Sequence, residues 1–187
     1  MDRQPVLEGE RLLLRPLAES DRAAFLAAAG DPLIWQQHPA PNRWREAECN
    51  AWFAGALAEA GALAVIEKDS GELVGSTRFQ ALDFGPDVAV IGSTFLIRLL
   101  WGSGANREMK RLMLAHALTS RARAWFLVGE DNWRSRAAME AIGGKLTGEI
   151  YTAELATGPV PHMIYEIARA DFARGPLAAS GGQNNIS

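Results

Sequence analysis

The sequence predicts a mixed α/β (α+β) fold, a mostly antiparallel sheet of about seven strands flanked by about four helices. Three observations predict it. Helical patterns come first, and short apolar strands separated by Gly, Pro and Asp turns follow, as in an antiparallel meander. The apolar run Ser93-Thr94-Phe95-Leu96-Ile97, the loop Trp101-Gly102-Ser103-Gly104-Ala105-Asn106 and the amphipathic run from Arg107 to Leu118 then lead to the apolar run Ala124-Trp125-Phe126-Leu127-Val128. Strand, helix, strand in that order implies a parallel crossover. Two alternating segments, Leu146 to Tyr151 and Met163 to Ile167, close the pattern as a hairpin.

In chain order, Arg11 to Arg15 is a short strand stopped by Pro16. Ser20-Asp21 supplies an N-cap to a helix over Ala23 to Ala29, which Gly30 ends. Pro32 to Pro41 reads as a loop carrying Trp35 and His38. A helix from about Arg45 to Ala60 places Trp52, Phe53, Ala56 and Leu57 on one face, and Gly61 closes it. Leu63 to Ile66 is a buried strand, Asp69-Ser70-Gly71-Glu72 a turn, and Leu73 to Leu82 the partner strand. Gly85-Pro86-Asp87 turns the chain into a strand over Val88 to Ile97. The helix after the glycine loop spans about Asn106 to Thr119, with Met109, Leu112, Met113 and His116 facing inward. Asp131-Asn132 caps a helix over Trp133 to Ile142, which Gly143-Gly144 breaks. Gly158-Pro159 forms the tip of the last hairpin. Residues 1–172 read as one domain, and the Gly, Ala, Ser and Asn-rich segment 173–187 as a disordered tail.

The 187 residues suffice for one ordinary core. The net charge is −3, and neither a polybasic block nor a basic helix face appears, which argues against nucleic acid as the main partner. Cys49 is the only cysteine, so no intrachain disulfide forms. With no secretory leader at Met1-Asp2-Arg3-Gln4, a cytoplasmic home is expected. No apolar run approaches a membrane span. His38, His116 and His162 lie far apart without ligand spacing, so no metal is expected. A homodimer, the commonest soluble oligomer, is the expectation for any assembly.

The glycine loop carries the first functional signal. Gly102 and Gly104 let backbone approach a ligand, and the first helical turn behind them has N–H groups without helical partners. The amides from Gly102 to Arg107 therefore form an anion site, and a pyrophosphate is the expected guest. A nucleoside-triphosphate P-loop would need Gly-Lys-Ser/Thr here, and Ala105-Asn106-Arg107 stand in that place.

Four segments together resemble the GNAT superfamily of N-acetyltransferases, the ribosomal-protein alanine-acetyltransferase (RimJ/RimL) type in particular. Leu7-Glu8-Gly9-Glu10-Arg11-Leu12-Leu13-Leu14-Arg15-Pro16-Leu17 resembles its opening strand, and Ile91-Gly92-Ser93-Thr94-Phe95-Leu96 its central strand. Trp101 to Lys110 resembles its coenzyme A loop and helix. Asn132-Trp133-Arg134-Ser135, with the helix to Gly143-Gly144, resembles its second cofactor segment, N-x-x-S. The resemblance spans roughly Leu7 to Ala168. It implies a sheet splayed between the central strand and the strand after the glycine-loop helix. Acetyl-CoA would lie there, its pantetheine arm on the backbone of Phe95, Leu96 and Ile97. Its pyrophosphate would lie on Gly102, Ser103, Gly104, Ala105, Asn106 and Arg107, with Asn132, Ser135 and Arg136 completing the site.

The implied reaction is acetyl transfer to a primary amine, either a peptide N-terminus or a small molecule. It needs loss of an amine proton, stabilisation of an oxyanion and protonation of a thiolate. The backbone N–H of Phe95 is the expected oxyanion donor. The tyrosine acid of many members falls at Met139, which cannot donate. Ser135, at the serine position of the ribosomal-protein subgroup, is either the acid or a residue that caps the helix and positions the cofactor. The strand glutamate used by many members is absent, with Val88, Val90 and Ser93 at the plausible positions. Glu108, Glu130 and His38 are base candidates beside a pure proximity mechanism through water, since effective molarity supplies up to ~7–11 kcal/mol. Glu108 also suits the helix dipole and Glu130 a cap. Arg107 and Arg136 are either phosphate forks or solvated helix residues, and Asn106 both caps and meets phosphate. Trp35, His38 and Ser93 fall on the acceptor side, where the aromatics, Trp44 among them, form either a substrate wall or a structural cluster. The alternative to an enzyme is a non-catalytic acyl-CoA-binding sensor, which Met139 and the missing glutamate favour.

Overall fold

The computed structural model describes residues 1–155 and 158–178. Its elements are β1 (Leu7–Glu8), β2 (Leu12–Pro16), α1 (Arg22–Ala29), α2 (Pro32–Trp35), α3 (Glu46–Glu59), β3 (Ala62–Glu67), β4 (Leu73–Phe79) and β5 (Val88–Leu96). There follow α4 (Ala105–Ser120), β6 (Arg123–Gly129), α5 (Trp133–Ala141), β7 (Lys145–Leu155), β8 (Gly158–Ala168) and α6 (Arg169–Phe172). The strands form one sheet in the order β1-β2-β3-β4-β5-β6-β8-β7. It is antiparallel except at β5 and β6, as a crossover through α4 requires. Among the described residues, the eight strands and six helices exceed the expected seven and four by a two-residue β1 and by the four-residue α2 and α6.

Strand pairing creates the opening on which function depends. β5 and β6 pair only at Val88↔Arg123, Ala89↔Ala124 and Val90↔Trp125. From Ile91 onward β5 stays with β4, while β6 stays with β8 as far as Gly129↔His162. The two strands therefore part like an opened seam. A bulge adds to the divergence: Arg78 pairs with Gly92 and Ser76 with Phe95, so Thr77 faces both Ser93 and Thr94. Ser93 adopts φ 50°, a left-handed conformation rare for a residue with a Cβ.

Each face of the sheet carries its own core. Met109, Met113, Leu114 and Ala117 of α4 pack against Leu14, Val65, Ile91 and Phe126, all fully or nearly fully buried. On the other face α1 and α3 bury Phe25, Phe53 and Ala56 against Trp35 and Phe95. Each such large side chain contributes about 1.5–3 kcal/mol on removal from water.

Four local expectations are corrected. Pro32–Trp35 is helical: Asp31 caps it through Leu33 N–H (3.0 Å), with Pro32 at the first helical position. Asp21 stands at the N-cap of α1 but its side chain makes no cap bond, because the carboxylate turns to Arg15 and to the amide of Ala18. Asn106 does not cap α4, because Gly104 takes the N-cap with φ 90°. Residues 173–178 pack on the body, with Leu177 in the core. Residues 179–187 of the expected tail, and residues 156–157 before Gly158, lie outside the described residues.

Candidate active site

The seam between β5 and β6 opens into a cleft of about 440 Å³. Its walls bring together Trp35 and His38, the edge from Ser93 to Leu96, Gly102, Gly104, Asn106 and Arg107 of the glycine loop and helix, and Asn132 and Ser135 at the start of α5. Ser103, Ala105, Ile97 and Arg136 of the expected set do not line it.

The polarity of the β5 edge follows from its register with β4. Ile97 N–H donates to Val74 O at 2.9 Å. Two residues back along an antiparallel strand the backbone faces the same way. Phe95, opposite Ser76, therefore faces β4, and its carbonyl lies against Gly75. Leu96 turns its N–H the other way, into the opened seam. The Phe95 N–H, expected as the donor, is thus committed to β4, as is that of Ile97, and the Leu96 N–H is the one that faces the seam. The Leu96 carbonyl is already taken by Trp101 Nε1 at 3.1 Å.

The glycine loop has room for a guest. Gly102 (φ 73°) and Gly104 (φ 90°) occupy left-handed backbone, and a Cβ added to either would meet nothing within 4 Å. The first helical hydrogen bond of α4 runs from Glu108 N–H to Gly104 O (3.1 Å), so the amides of Asn106 and Arg107 have no acceptor in the helix. Ser103 N–H is used by Leu100 O and Ala105 N–H by Ser103 Oγ, so these two are not free for an anion. Open left-handed glycines, helix-start amides and a cleft wall without Asp or Glu among the described residues fit a diphosphate. The Arg107 guanidinium turns away to Ala141 O (3.0 Å) and Pro176 O (2.7 Å). That of Arg136 donates to Tyr165 Oη and Glu130 O and lies over Trp133. Both guanidiniums, read from the sequence as either phosphate forks or solvated helix residues, are thus engaged by protein oxygens.

At α5 the Asn132 side chain accepts from Ser135 N–H at 3.2 Å, a side-chain N-cap that fixes the helix start beside the loop. Met139, at the tyrosine position, is buried in the cleft floor. Neither of the chain's two tyrosines lines the cleft: Tyr165 donates to Glu140, and Tyr151 packs on Phe84.

On the acceptor side Trp35 serves both readings given to it. Its Nε1 donates to Ala29 O and its ring packs among Trp52 and Phe95, yet it also lines the cleft. His38 is poorly placed as a base. Its Nδ1 accepts from Ala40 N–H at 2.9 Å, and burial, with Arg43, His162 and Arg134 nearby, pushes its pKa down to about 3. Glu108 is not free either, since its carboxylate holds the amides of Arg11 and Leu12. Glu130 is exposed and outside the cleft wall.

Two residues in the wall escaped the sequence reading. Lys110 of α4 is 4% exposed and donates to Thr94 Oγ1 at 2.8 Å. A lysine three positions before Met113, on the inward stripe, was the available signal. His162 of β8 lies opposite Gly129, and its Nδ1–H donates to Val160 O at 2.9 Å, so Nε2 carries the lone pair in the neutral ring. Nothing in the sequence marked it, because its nearness to the cleft comes from β8 inserting between β6 and β7.

A sheet parted between two parallel strands, with a glycine loop and helix start at one end, offers an open strand edge and main-chain donors suited to an anionic group. Residues 11–145 match the model of the Acetyltransferase (GNAT) domain, and the chain belongs to this family of acyltransferases that use acetyl-CoA. A T. thermophilus protein assigned as an acetyltransferase is 28% identical, with TM-score 0.74 over 90% of this chain and 92% of the other. The Mycobacterium smegmatis RimJ structure in complex with CoA-disulfide is 19% identical, with TM-score 0.65 over 89% and 86%. The self-immunity acetyltransferase MccE for microcin C7, in complex with acetyl-CoA and AMP, is 16% identical, with TM-score 0.71 over 89% and 98%. No protein of curated function matches the sequence. Among the described residues no helix is long and apolar enough to cross a membrane, and no group of His, Cys, Asp and Glu could hold a metal ion.

Proposed function

We propose that the protein moves an acetyl group from acetyl-CoA to a primary amine by direct attack within a ternary complex. The acceptor is a small molecule or a peptide N-terminus. The resemblance to the ribosomal-protein type supports the second, since a RimJ structure shares the fold. The observation that carries the reading is the Leu96 N–H, turned into the seam where β5 has left its parallel neighbour. Acetyl-CoA when bound supplies the activated acyl group. Asn106, Arg107 and the glycine backbone hold its diphosphate, and Leu96 N–H stabilises the charge that develops on the acyl oxygen. His162 Nε2 accepts the amine proton. Ser135 returns a proton to the departing thiolate from the start of α5, where the helix dipole also favours negative charge. Held in one cleft, donor and acceptor gain effective molarity worth up to ~7–11 kcal/mol.

The test is thiol release on incubation with acetyl-CoA and a panel of amines, alongside calorimetry with coenzyme A. Binding heat and thiol release with at least one amine class are expected. His162→Gln should then lower kcat by about 10²-fold. No heat with free or acylated coenzyme would overturn the proposal.

A further inference from the structure

Lys110 bridges the parted strands. Its Nζ donates to Thr94 Oγ1 of β5 at 2.8 Å and lies 5.4 Å from the Phe126 ring centroid of β6. It lines the cleft, yet the residue is buried. An ammonium has three N–H donors, and among the described residues Thr94 Oγ1 is the one hydrogen-bond acceptor it meets. The polar chain behind Thr94 holds no anion: Thr94 meets Thr77 at 2.7 Å, and Thr77 Oγ1 donates to the Met113 thioether. No ion pair among the described residues includes Lys110. Buried cations are ordinarily paired, so one left with a single neutral hydroxyl points to a partner that arrives with a ligand.

Direction and reach identify that ligand. Gly102 and Gly104 follow β5, so a carrier whose diphosphate lies there enters the seam at its open end. Its arm passes Leu96, and its acyl end runs on toward Thr94 and the closed end of the seam at Val90↔Trp125. Leu96 and Thr94 turn their side chains to the α4 face, whereas Phe95 packs on the opposite face with Trp35. An acyl tail and an acceptor amine therefore approach the carbonyl from opposite faces. Two strand residues span about 6–7 Å. From a carbonyl at Leu96, a two-carbon spacer and a carboxylate reach about 5 Å, and a charge-assisted hydrogen bond adds about 2.7–2.9 Å. An acetyl methyl ends well short of Lys110. The other cations in the wall are engaged, Arg107 by Ala141 O and Pro176 O and Arg134 by Ile34 O. No Asp or Glu of the described residues lines the cleft to repel a carboxylate.

We propose that Lys110 receives the terminal carboxylate of a donor acyl group, so that the seam accepts a succinyl-type coenzyme A thioester as well as acetyl-CoA and passes its acyl group to the amine. The amine nitrogen bonds to the acyl carbon and the carbon–sulfur bond breaks. The amine loses one proton, the coenzyme A thiolate gains one, and the distal carboxylate is unchanged. Burial without an anion pulls the Lys110 pKa down to about 7, and a carboxylate beside it favours the charged form. The assignment rests on the proposed seating of the donor in the seam.

The experiment is calorimetry of the full chain with succinyl-CoA and with butyryl-CoA, which matches it in length but ends in a methyl group, and with acetyl-CoA as reference. Succinyl-CoA should bind at least about 10-fold more tightly than butyryl-CoA. Lys110→Met, of similar length without the charge, should remove that preference. Incubation of succinyl-CoA with the amine panel, read by mass spectrometry, should yield a succinylated amine. Thermal melting and the heat of acetyl-CoA binding, recorded on the variant, show that it is folded and holds the donor. Equal or weaker binding of succinyl-CoA, with acetyl-CoA bound, overturns the Lys110 site and leaves the acetyltransferase reading standing. No heat with any of the three thioesters counts against the seating of the donor itself and takes the proposal with it. A preference that survives Lys110→Met assigns the carboxylate to another cation and overturns the role of Lys110. Preferential binding with acetylated but no succinylated amine overturns the transfer.

Discussion

Lys110 Nζ donates to the hydroxyl of Thr94 at 2.8 Å with no carboxylate sharing the contact, 5.4 Å from the centroid of Phe126. Burial alone lowers its pKa from 10.5 to about 7. Below pH 7 both folded and unfolded chains bind the proton, and the folded state carries the full cost of a buried ammonium. Between pH 7 and 10.5 the unfolded chain binds it more, so this group makes stability rise with pH across that window. Lys110→Met should stabilise the protein at pH 7 by on the order of 3 kcal/mol and flatten the rise. Denaturant titrations at pH 7 and pH 10 on both proteins read it; a variant less stable at pH 7 would contradict it.

Asp21 gives the opposite sign. Its two oxygens take Arg15 Nη1 and Nη2 at 2.7 Å each, and Oδ2 also takes the Ala18 amide at 2.9 Å. Arg15 foremost holds its carboxyl below the usual 3.8. The stabilisation is present above that value and disappears as pH falls through the lower, folded one. Because Arg15 is about a third exposed, Asp21→Asn should cost only about 1–2 kcal/mol at pH 7. The loss should shrink on titration toward pH 2.

What the sequence disclosed depended on how local each signal is. Gly102 and Gly104, the Met109/Met113 stripe and the Asn132–Ser135 spacing are set within a few residues, and each lands where the pattern placed it. Helix α2 is too short for periodicity, although Asp31-Pro32 carried a cap signal. The side of β5 that faces the seam was illegible, because it depends on register with β4 and on the bulge at Ser93. That is why Phe95 was expected where Leu96 stands. His162 reaches the cleft only through the insertion of β8 between β6 and β7, a long-range pairing that chain order does not announce.

Gly104 separates strain from binding. At φ 90° a Cβ adds about 1–2 kcal/mol of backbone strain, while the space it enters is empty of protein for 4 Å. Gly104→Ala should therefore fold, melting about 2–8 °C lower. Its KM for acetyl-CoA should rise about 10-fold or more, because the methyl enters the space assigned to the diphosphate. An unchanged KM with the same melting loss would remove the loop from the binding site.

Ser135 is the sharpest test of the chemistry. The Asn132 side chain caps α5 through the backbone amide of Ser135, not through its hydroxyl. Ser135→Ala therefore keeps the cap, the helix start and the loop geometry beside it. If the hydroxyl delivers the proton to the thiolate, kcat falls by about 10²-fold while KM for acetyl-CoA stays within about threefold. Asn132→Ala provides the contrast. It removes the cap itself, costs about 1 kcal/mol of stability, and should raise KM because α5 no longer begins in a fixed place. Steady-state kinetics and melting curves on the two variants distinguish the roles. A Ser135→Ala enzyme with normal kcat and a raised KM would make the hydroxyl a holder of the cofactor and leave the thiolate to be protonated by water.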